Sequence, residues 1–293
     1  MTELCLLLGF SRQAYYQGIR YEEQKAFQSE LIIKEVLKYR VFQKRIGTRK
    51  LFHEMQSFLN NHNFKIGRDG MFNLLADHGL LVTKRKRNSC ITTMSRHRFK
   101  KYPNIIKDFI PTAPNQLWVN DITYLTLKDK FAYLSLITDA YSRKIVGFYL
   151  SEDLSAKGPL NALKMALKNN LERENLIHHS DRGVQYCCNA YIKLLTDNNV
   201  KISMTENGDP LENALAERVN GILKQEMFEE VFVDFETAKI RVAVGCSTYN
   251  HLRPHGSIDN MKPAEAHIQS GILKRRWKNY YQKKEKEEEV CMT

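Results

Sequence analysis

The chain lacks the features that would place it in a membrane or in the secretory pathway. No run of about 18 or more apolar residues occurs, so the sequence predicts no membrane-spanning helix. The opening stretch MTELCLLLGF is apolar, but it carries Glu3 where a secretory signal peptide has positive charge. We therefore expect neither a membrane anchor nor a signal peptide.

The cysteines show no functional spacing. The six cysteines include no C-x-x-C pair, and no Cys and His pairs stand at the spacing of zinc ligands. The neighbours Cys187 and Cys188 cannot easily form a disulfide with each other. The pattern predicts reduced thiols in a cytoplasmic protein that has no structural zinc site.

The first third of the chain is poor in acidic residues. The whole net charge of +12 arises from residues 1–110, which hold 21 Lys and Arg against 9 Asp and Glu, because the remainder holds 24 of each kind. A basic segment of this kind indicates a polyanionic partner, and nucleic acid is the simplest one. A basic surface that serves only solubility is the alternative, but the uneven distribution favours DNA.

Residues 1–83 are predicted to form a small all-α DNA-binding region of the helix-turn-helix type. Two short helices are expected within residues 1–20, with Ser11 capping the second of them. An amphipathic helix is expected over residues 28–40, because its apolar residues recur at helical spacing.

The second half of this region predicts two more helices. Gly47 marks a break, and Thr48 is expected to cap the helix that follows. Gly79 is placed to end the last helix, because glycine readily adopts the left-handed conformation that terminates helices. The candidate DNA contacts of these helices are Arg49, Lys50 and Arg68.

A basic linker is predicted over residues 84–110. Its part from 84 to 101 holds eight Lys and Arg and no acidic residue, with Ser and Thr between them. This composition suits a flexible segment that follows DNA phosphates, although a solvated spacer would have the same composition. The candidate DNA contacts here are Lys84, Arg85, Lys86 and Arg87.

A mixed α/β domain is predicted over residues 111–270, and a charged tail over residues 271–293. The runs LWVNDITYLTL, FAYLSLITDA and SRKIVGFYL predict three strands joined by short turns, which is an antiparallel meander. A helix, a strand, a helix, a strand and a helix follow, and the last helix is expected over residues 211–228. Three strands followed by α-β-α-β-α is the order of the ribonuclease-H-like fold.

Three acidic residues are candidates for a shared metal site. Asp121 lies in the first predicted strand, Asp181 follows the fourth, and Glu217 lies in the last helix, with 35 residues between it and Asp181. Carboxylate oxygens suit Mg²⁺, and two such ions can stabilise the attacking and leaving oxygens at a phosphate. Taken singly, each acid has an ordinary explanation as a solvated strand, turn or helix residue. Composition does not select them from neighbouring acids such as Asp139 and Glu206.

The joint context of these acids resembles the DDE transposase and integrase superfamily, most closely the second open reading frame product of the bacterial IS3-family transposases. The matching stretches are WVNDITY (118–124), DAYSRKIVG (139–147), HSDRGVQY (179–186), NALAERVNGILK (213–224) and YNHLRPHGSIDNMKPAE (249–265). They occur in the family's order and with its interval between aspartate and glutamate. The resemblance implies a ribonuclease-H-like integrase core with a mixed five-stranded sheet, and it implies Asp121, Asp181 and Glu217 as catalytic and metal-binding residues.

The resemblance also implies an activity, which is metal-dependent cleavage and strand transfer of DNA at insertion-sequence ends. Two Mg²⁺ ions are the implied cofactors, with Mn²⁺ as a substitute. Water or a DNA 3′ hydroxyl, rather than a protein nucleophile, attacks phosphorus in such chemistry. Arg218 and Lys224 follow Glu217 on the same helix and are candidate phosphate contacts, although each could equally be a solvated basic side chain.

The implied partners are the terminal repeats of the element, target DNA, other copies of the chain in a homo-oligomer on DNA, and an upstream-frame protein. The expected location is the bacterial cytoplasm, at the nucleoid when bound to DNA. His179 is expected to be a core residue, and Arg253, Pro254 and His255 to be structural or adjacent to DNA.

Two alternative functions stay open. The chain could be a relic or repressor that binds element ends through residues 1–110 without cutting them, although the intact acids argue against this. It could also be a nuclease of the same fold that acts on RNA–DNA hybrids, although the basic front segment would then be unexplained.

Overall fold

The structure is a computed structural model that divides into two compact units, Met1–Arg85 and Lys86–Thr293. It describes residues 7, 9–83, 85, 97–107, 109–170, 175–206 and 213–274. Three of the predicted DNA contacts, Lys84, Lys86 and Arg87, lie outside the described residues, and so does the charged tail beyond residue 274. Among the helices of the described part, none has the length and apolar character needed to cross a membrane.

The described part of the first unit is helical. It contains α1 (Arg12–Phe42), α2 (Thr48–Glu54), α3 (Gln56–Asn61) and α4 (Arg68–Asp77). The buried face of each helix is apolar because residues four apart lie on one side, as do Ile32 and Val36 in α1 and Met71 and Leu75 in α4. These side chains meet in one hydrophobic core, so the first unit has a core of its own.

The first helix corrects a prediction. Residues 12–42 form one helix of 31 residues, so the prediction that the second short helix ends by residue 20 and that a separate helix covers 28–40 is wrong. The first of the two short helices predicted within residues 1–20 falls largely outside the described residues. Gly18 does not interrupt the helix, because a single interior glycine costs only about 1 kcal/mol. Ser11 does cap it, since its hydroxyl accepts a hydrogen bond from the amide of Ala14 at 3.1 Å.

The start of α2 and the end of α4 can be compared with the predicted capping residue Thr48 and the predicted stop residue Gly79. Thr48 is the first residue of α2, and the capping position belongs to Gly47, so the cap was predicted one residue too late. Gly79 follows α4 with a φ of +64°, a conformation that glycine adopts without steric cost, and this stop signal is confirmed.

The second unit contains a mixed five-stranded sheet. Its strands are β1 (Leu117–Thr126), β2 (Phe131–Asp139), β3 (Ile145–Ser151), β4 (Ile177–Ser180) and β5 (Lys201–Met204), in the order β3-β2-β1-β4-β5. The first three strands are antiparallel, whereas β4 pairs in parallel with both β1 and β5. Most of β1 is buried because it lies at the centre of the sheet and helices cover both of its faces.

Helices pack on both faces of this sheet. They are α5 (Lys157–Asn169), α6 (Val184–Cys187), α7 (Asn189–Asp197), α8 (Ala214–Ile222), a π-helical turn (Leu223–Met227), α9 (Phe235–His251), a 3₁₀ turn (Gly256–Ile258) and α10 (Pro263–Ala266). On one face α5, α6 and α7 pack around Trp118 and Tyr191, and on the other α8 and α9 pack around Leu134 and Tyr249. The predicted ribonuclease-H-like order is confirmed, except that the last predicted helix is α-helical only as far as Ile222.

Candidate active site

Asp121 and Asp181 lie opposite each other on neighbouring parallel strands. The last pair in the register of β1 and β4 is Val119 with His179. The same register extended by two residues along both strands brings Asp121 to Asp181, which directly follows β4. Because adjacent strands lie about 4.8 Å apart and opposite residues point to the same face, both carboxylates lie at one place on the sheet.

Asp121 is held by two hydrogen bonds. Its Oδ1 accepts from the amide of Ile122 at 2.9 Å, and its Oδ2 accepts from Nδ2 of Asn220 at 2.7 Å. Since Asn220 belongs to α8, the second bond joins the helix that carries Glu217 to the central strand.

A second asparagine fixes the start of α8. Asn213, at the N-cap position, donates from Nδ2 to the main-chain oxygen of Asn120 at 3.0 Å. Asn213 and Asn220 are seven residues apart, so they lie two turns apart on one helix face. Glu217 lies between them at helical spacing, and therefore on the side of α8 that faces β1. We call Asn213 and Asn220 the asparagine clip.

The three acids act on one another electrostatically. Loss of hydration is the main cause that raises the pKa of Asp121 to about 7, and the charges of Asp181 and Glu217 add to the rise. The hydrogen bond from Asn220 lowers this pKa, but by less than the other effects raise it. Neighbouring like charges disfavour ionisation, so the carboxylates form a mutually repelling group.

The carboxylates of Asp121, Asp181 and Glu217 are not arranged as metal ligands in the described structure. Within the part of the chain that the structure describes, no three Asp, Glu, His or Cys side chains are assembled closely enough to hold a metal ion. Glu217 is exposed, so its carboxylate can rotate about its side-chain bonds toward the two aspartates without disturbing the core. The backbone therefore brings the three acids together, while their final arrangement depends on side-chain rotation.

The loop after Asp181 is fixed by several contacts. Oδ1 of Asp181 accepts a hydrogen bond from the amide of Gly183 at 2.9 Å, which forms a tight turn. Arg182 donates from Nη1 to the main-chain oxygen of Glu206 at 2.7 Å. The main-chain oxygen of Arg182 lies 2.9 Å from Nε2 of His97. The loop is therefore fixed at Asp181 and at the two residues that follow it.

A buried polar network supports the site from the opposite face of β1. Asn120 donates from Nδ2 to the hydroxyl of Tyr191 at 2.7 Å and accepts at Oδ1 from the hydroxyl of Tyr186 at 3.2 Å. The Tyr191 hydroxyl also lies 3.0 Å from Nε2 of His178, whose pKa is lowered to about 3, mainly by burial. His178 is thus neutral at pH 7, and the network fixes β1, β4, α6 and α7 to one another.

Two contacts fix the π-helical turn that follows α8. Arg253 donates from Nε and Nη2 to both carboxylate oxygens of Glu226, at 2.8 and 2.9 Å. Lys224 lies with Nζ 3.8 Å from the centre of the Tyr124 ring on β1. Arg253, predicted to be structural or adjacent to DNA, thus has a structural partner, and His179 is a buried core residue whose Nδ1 lies 2.9 Å from the Ser203 hydroxyl.

The remaining predicted DNA contacts lie at separate places. In the first unit Arg49 is exposed on α2, Lys50 is partly buried beside it, and Arg68 is exposed at the start of α4, 2.8 Å from Asp69. Arg85 is partly buried at the end of this unit. In the second unit Arg218 is exposed next to Glu217 and Lys224 packs on Tyr124, so these two accompany the acids.

Sequence analysis missed the asparagine clip and the buried network. A signal for the clip was present, because Asn213, Glu217 and Asn220 follow the i, i+4, i+7 spacing of one helix face. The network had no local signal. Asn120 and Tyr191 meet only because the fold joins residues 71 positions apart.

Comparison with known families gives the class that this fold and site define. Residues 111–210 match a family described as integrase core domain, and residues 198–263 match a second family of the same description. Among solved structures, the HTLV-2 integrase catalytic core domain in complex with magnesium is similar, with 17% identity, a TM-score of 0.43, and coverage of 54% of this chain and 99% of that chain.

Curated relatives narrow the class to one family. The chain is 34% identical over 266 residues to the "Insertion element IS600 uncharacterized 31 kDa protein" of Shigella sonnei, covering 89% of this chain and 96% of the relative. It is 29% identical over 276 residues to the transposase for insertion sequence element IS629 of Shigella sonnei, covering 90% of each. It is 34% identical over 162 residues to transposase InsF for insertion sequence IS3A of Escherichia coli K12, covering 54% and 56%. The chain belongs to the IS3 family of insertion-sequence transposases, which are DDE-type polynucleotidyl transferases.

Proposed function

We propose that Asp121, Asp181 and Glu217 are the catalytic acids of this transposase and bind two Mg²⁺ ions, for which Mn²⁺ can substitute. One observation carries the proposal. The register of β1 and β4, extended two residues past its last pair, brings Asp121 and Asp181 together, and the asparagine clip holds the Glu217 face of α8 against the same strand. The charge of Asp181 accordingly contributes to the raised pKa of Asp121, after burial. The reaction is cleavage and strand transfer of DNA at the ends of the element.

The residues present fit a hard divalent cation. All three are carboxylates, the ligand type that Mg²⁺ prefers. Burial is the main cause that raises the pKa of Asp121, and the charges of Asp181 and Glu217 add to the rise. A cation between the three carboxylates would remove their mutual repulsion. The bound metal would stabilise the charge that develops on the attacking and leaving oxygens at phosphorus.

The remaining residues position this site and the DNA. Asn220 orients the Asp121 carboxylate through its hydrogen bond to Oδ2, and Gly183 does the same for Asp181 through its amide. Arg218 is exposed one residue after Glu217, where its guanidinium can contact a phosphate of the bound strand. Lys224 supplies a second positive charge on the same segment, above Tyr124.

The DNA partners are the terminal repeats of the element and the target DNA. The basic residues of the first unit and the linker hold the element ends, and they comprise Arg49, Lys50, Arg68, Lys84, Arg85, Lys86 and Arg87. Two element ends must be processed together, so the chain acts as a homo-oligomer on DNA in the bacterial cytoplasm. An upstream-frame protein joins this assembly when the element encodes one.

The test of the catalytic acids uses a labelled duplex that carries the element end. We expect Asp181→Asn to lose Mg²⁺-dependent and Mn²⁺-dependent nicking and joining while it still binds the duplex. The matched control is Asp197→Asn, since Asp197 is an exposed aspartate at the end of α7, and this variant should keep wild-type activity. Wild-type activity in Asp181→Asn would remove Asp181 from the site.

The same assay separates the two alternative functions. It is run with and without the upstream-frame protein, and with an RNA–DNA hybrid beside the element-end duplex. A repressor would bind element ends under all conditions and cut none of them. A hybrid nuclease would cut the RNA strand and ignore the element end. Either result would contradict the proposal, which requires strand transfer of the element end.

A further inference from the structure

Residues 97–107, which we call the strap, run along the edge strand β5 of the second unit. The amide of Ile105 donates to the hydroxyl of Ser203 at 3.1 Å, and the amide of Met204 donates to the main-chain oxygen of Pro103 at 3.3 Å. The composition of this stretch suits a flexible linker, but here the chain is hydrogen-bonded to the sheet. The strap is therefore a fixed part of the surface near β5.

The first residues of the strap reach the candidate active site. Nε2 of His97 lies 2.9 Å from the main-chain oxygen of Arg182, which directly follows Asp181. The ring of Phe99 lies 5.6 Å from the ring of His97, centre to centre. Phe99 thus contacts His97, and His97 in turn contacts the loop that carries Asp181.

Lys101 of the strap and Asp181 both act electrostatically on one residue, Cys187. Burial raises the pKa of the Cys187 thiol to about 11, Asp181 adds to the rise, and Lys101 and Arg182 oppose it. The Cys187 thiol is thus affected by the charges of Lys101, Arg182 and Asp181. Because His97 contacts the residue that follows Asp181, the positive charges of Arg98, Lys100 and Lys101 follow this contact within four residues of the chain. An approaching phosphate needs such a counter-charge.

The sequence HRFKKY over residues 97–102 alternates aromatic and basic side chains. Arg98, Phe99 and Lys101 are exposed, with 38% of the Phe99 side chain open to solvent. Within the described residues, no hydrogen bond or ion pair occupies Arg98 or Lys101. Aromatic rings between positive charges are the usual means by which proteins bind single-stranded nucleic acid, since rings stack on bases while the charges contact phosphates.

We propose that the strap binds unpaired nucleotides beside the reacting phosphate, with Phe99 stacked on a base and Arg98 and Lys101 on neighbouring phosphates. The proposal rests on the proposed function of the acids, because it concerns the DNA strand that they act on. An unpaired strand is required since the faces of duplex bases are already covered by their neighbours. The strap then keeps the end of the DNA open while its phosphate lies at Asp121 and Asp181.

The test measures binding of three probes to the full chain by fluorescence anisotropy in EDTA. The probes are a single-stranded oligonucleotide of the element end, the fully paired duplex, and the duplex with unpaired terminal nucleotides. We expect Phe99→Ala to weaken binding of the first and third probes about tenfold and to leave the paired duplex unchanged. Phe99→Trp should keep wild-type affinity, because indole also stacks.

The matched control is Phe109→Ala. Phe109 is also 38% exposed and lies shortly after the strap, but no basic residue adjoins it in the sequence. This variant should bind all three probes as the wild type does. Equal losses in Phe99→Ala and Phe109→Ala, or no loss in either, would overturn the proposal.

The phosphate contacts have a separate test. We expect Arg98→Gln combined with Lys101→Gln to reduce the salt dependence of single-strand binding by about 1.4 in log–log slope, at about 0.7 per contact. The control pair Lys128→Gln and Lys130→Gln removes the same charge from the exposed β1–β2 turn and should leave the slope unchanged. An unchanged slope in the strap variant would contradict the proposal.

These measurements stay informative if the acids fail their own test. Binding in EDTA needs no catalysis, so loss of affinity in Phe99→Ala without any wild-type cleavage would support the strap and contradict the catalytic proposal. If the wild type cleaves DNA normally and Phe99→Ala matches it in both binding and cleavage rate, the catalytic proposal is supported and the strap proposal is contradicted.

Discussion

At the scale of single residues, the candidate site trades stability for the capacity to bind a cation. Asp121 stands in the central strand with a pKa near 7, raised by lost hydration and by two neighbouring carboxylates. A residue chosen only for stability would carry no charge there. The strain of keeping three acids together therefore indicates a function rather than a structural role, and it leads to a measurable dependence of stability on pH.

We expect Asp121→Asn to be more stable than the wild type in EDTA at about pH 8, and no more stable at about pH 4. The pKa of Asp121 rises from 3.8 in the unfolded chain to about 7 in the fold, so between these values the folded protein holds a proton that the unfolded chain has released. Stability therefore falls as the pH rises through this window, and it stays low above pH 7. The neutral variant avoids this loss, which we place at about 1–3 kcal/mol.

The surroundings of residue 121 can accept the side-chain amide that Asp121→Asn introduces. Oδ1 of Asn220 has no hydrogen-bond partner among the described residues, so the Asn220 amide can turn and accept from the introduced side chain. Thermal unfolding at both pH values measures the effect, with Asp197→Asn as a control that should show no gain. A gain of equal size at both pH values would contradict the electrostatic explanation.

Asn220→Ala is expected to slow strand cleavage about 10- to 100-fold, the usual effect of removing a group that orients a metal ligand. The alanine variant frees Oδ2 of Asp121 and one end of the asparagine clip, while DNA affinity should stay near the wild-type value. The control is Asn198→Ala, since the Asn198 side chain donates to the main-chain oxygen of Leu194 in α7 and has no other hydrogen bond among the described residues. Similar rates for the two variants would show that the clip does not position the site.

At the scale of elements, the sequence predicted most of the sheet and the order of its helices. The strands of the second unit alternate or run apolar over lengths typical of strands, so β1 to β5 were recognisable one by one. The length of α1 was not predicted, because residues 12–27 are exposed and do not carry the apolar stripe that indicated a helix over residues 28–40. The π-helical turn was also missed. This turn carries Glu226, whose partner Arg253 lies 27 residues further along the chain, so no local pattern indicated the contact.

The Arg253–Glu226 pair predicts a difference in stability between two ion pairs of the same type. Arg253→Ala should lower the free energy of unfolding by about 3–5 kcal/mol, because it leaves the Glu226 carboxylate mostly buried without its counter-charge. Only 5% of the Arg253 side chain is exposed, and 19% of the Glu226 side chain. Chemical denaturation measures the loss.

The control is Arg241→Ala. Arg241 also contacts a glutamate, Glu229 at 3.2 Å, but the two side chains are 43% and 42% exposed. Solvent screens such a pair, so the expected loss is at most about 1 kcal/mol. If Arg241→Ala cost as much as Arg253→Ala, burial would not be the reason for the larger effect.

At the scale of the whole molecule, charge and chemistry occupy different parts of the chain. Residues 1–110 carry the entire net charge of +12, whereas the three candidate acids lie in the remainder, whose charges balance. The first unit has a hydrophobic core of its own, and the acids are fixed by contacts within the second unit. DNA recognition and catalysis should therefore respond separately to substitution.

That separation gives the prediction for the first unit. The double variant Arg49→Gln and Arg68→Gln should bind the element-end duplex more weakly than the wild type, with the salt dependence reduced by about 1.8 in log–log slope, at about 0.9 per lost phosphate contact. A further loss on the element end, relative to a scrambled duplex, is expected if either arginine also contacts bases, at about 1–3 kcal/mol for a bidentate contact.

The matched control removes the same charge from the same unit. It is the double variant Arg20→Gln and Lys25→Gln, since both residues lie on the exposed first half of α1. This double variant should keep the preference for the element end over the scrambled duplex. With a pre-nicked substrate, whose free 3′ hydroxyl is the nucleophile, both variants should carry out strand transfer at the wild-type rate when DNA is saturating, because neither touches the acids. A slower reaction at saturating DNA in the Arg49 and Arg68 variant would show that the first unit takes part in catalysis and is not confined to holding the DNA.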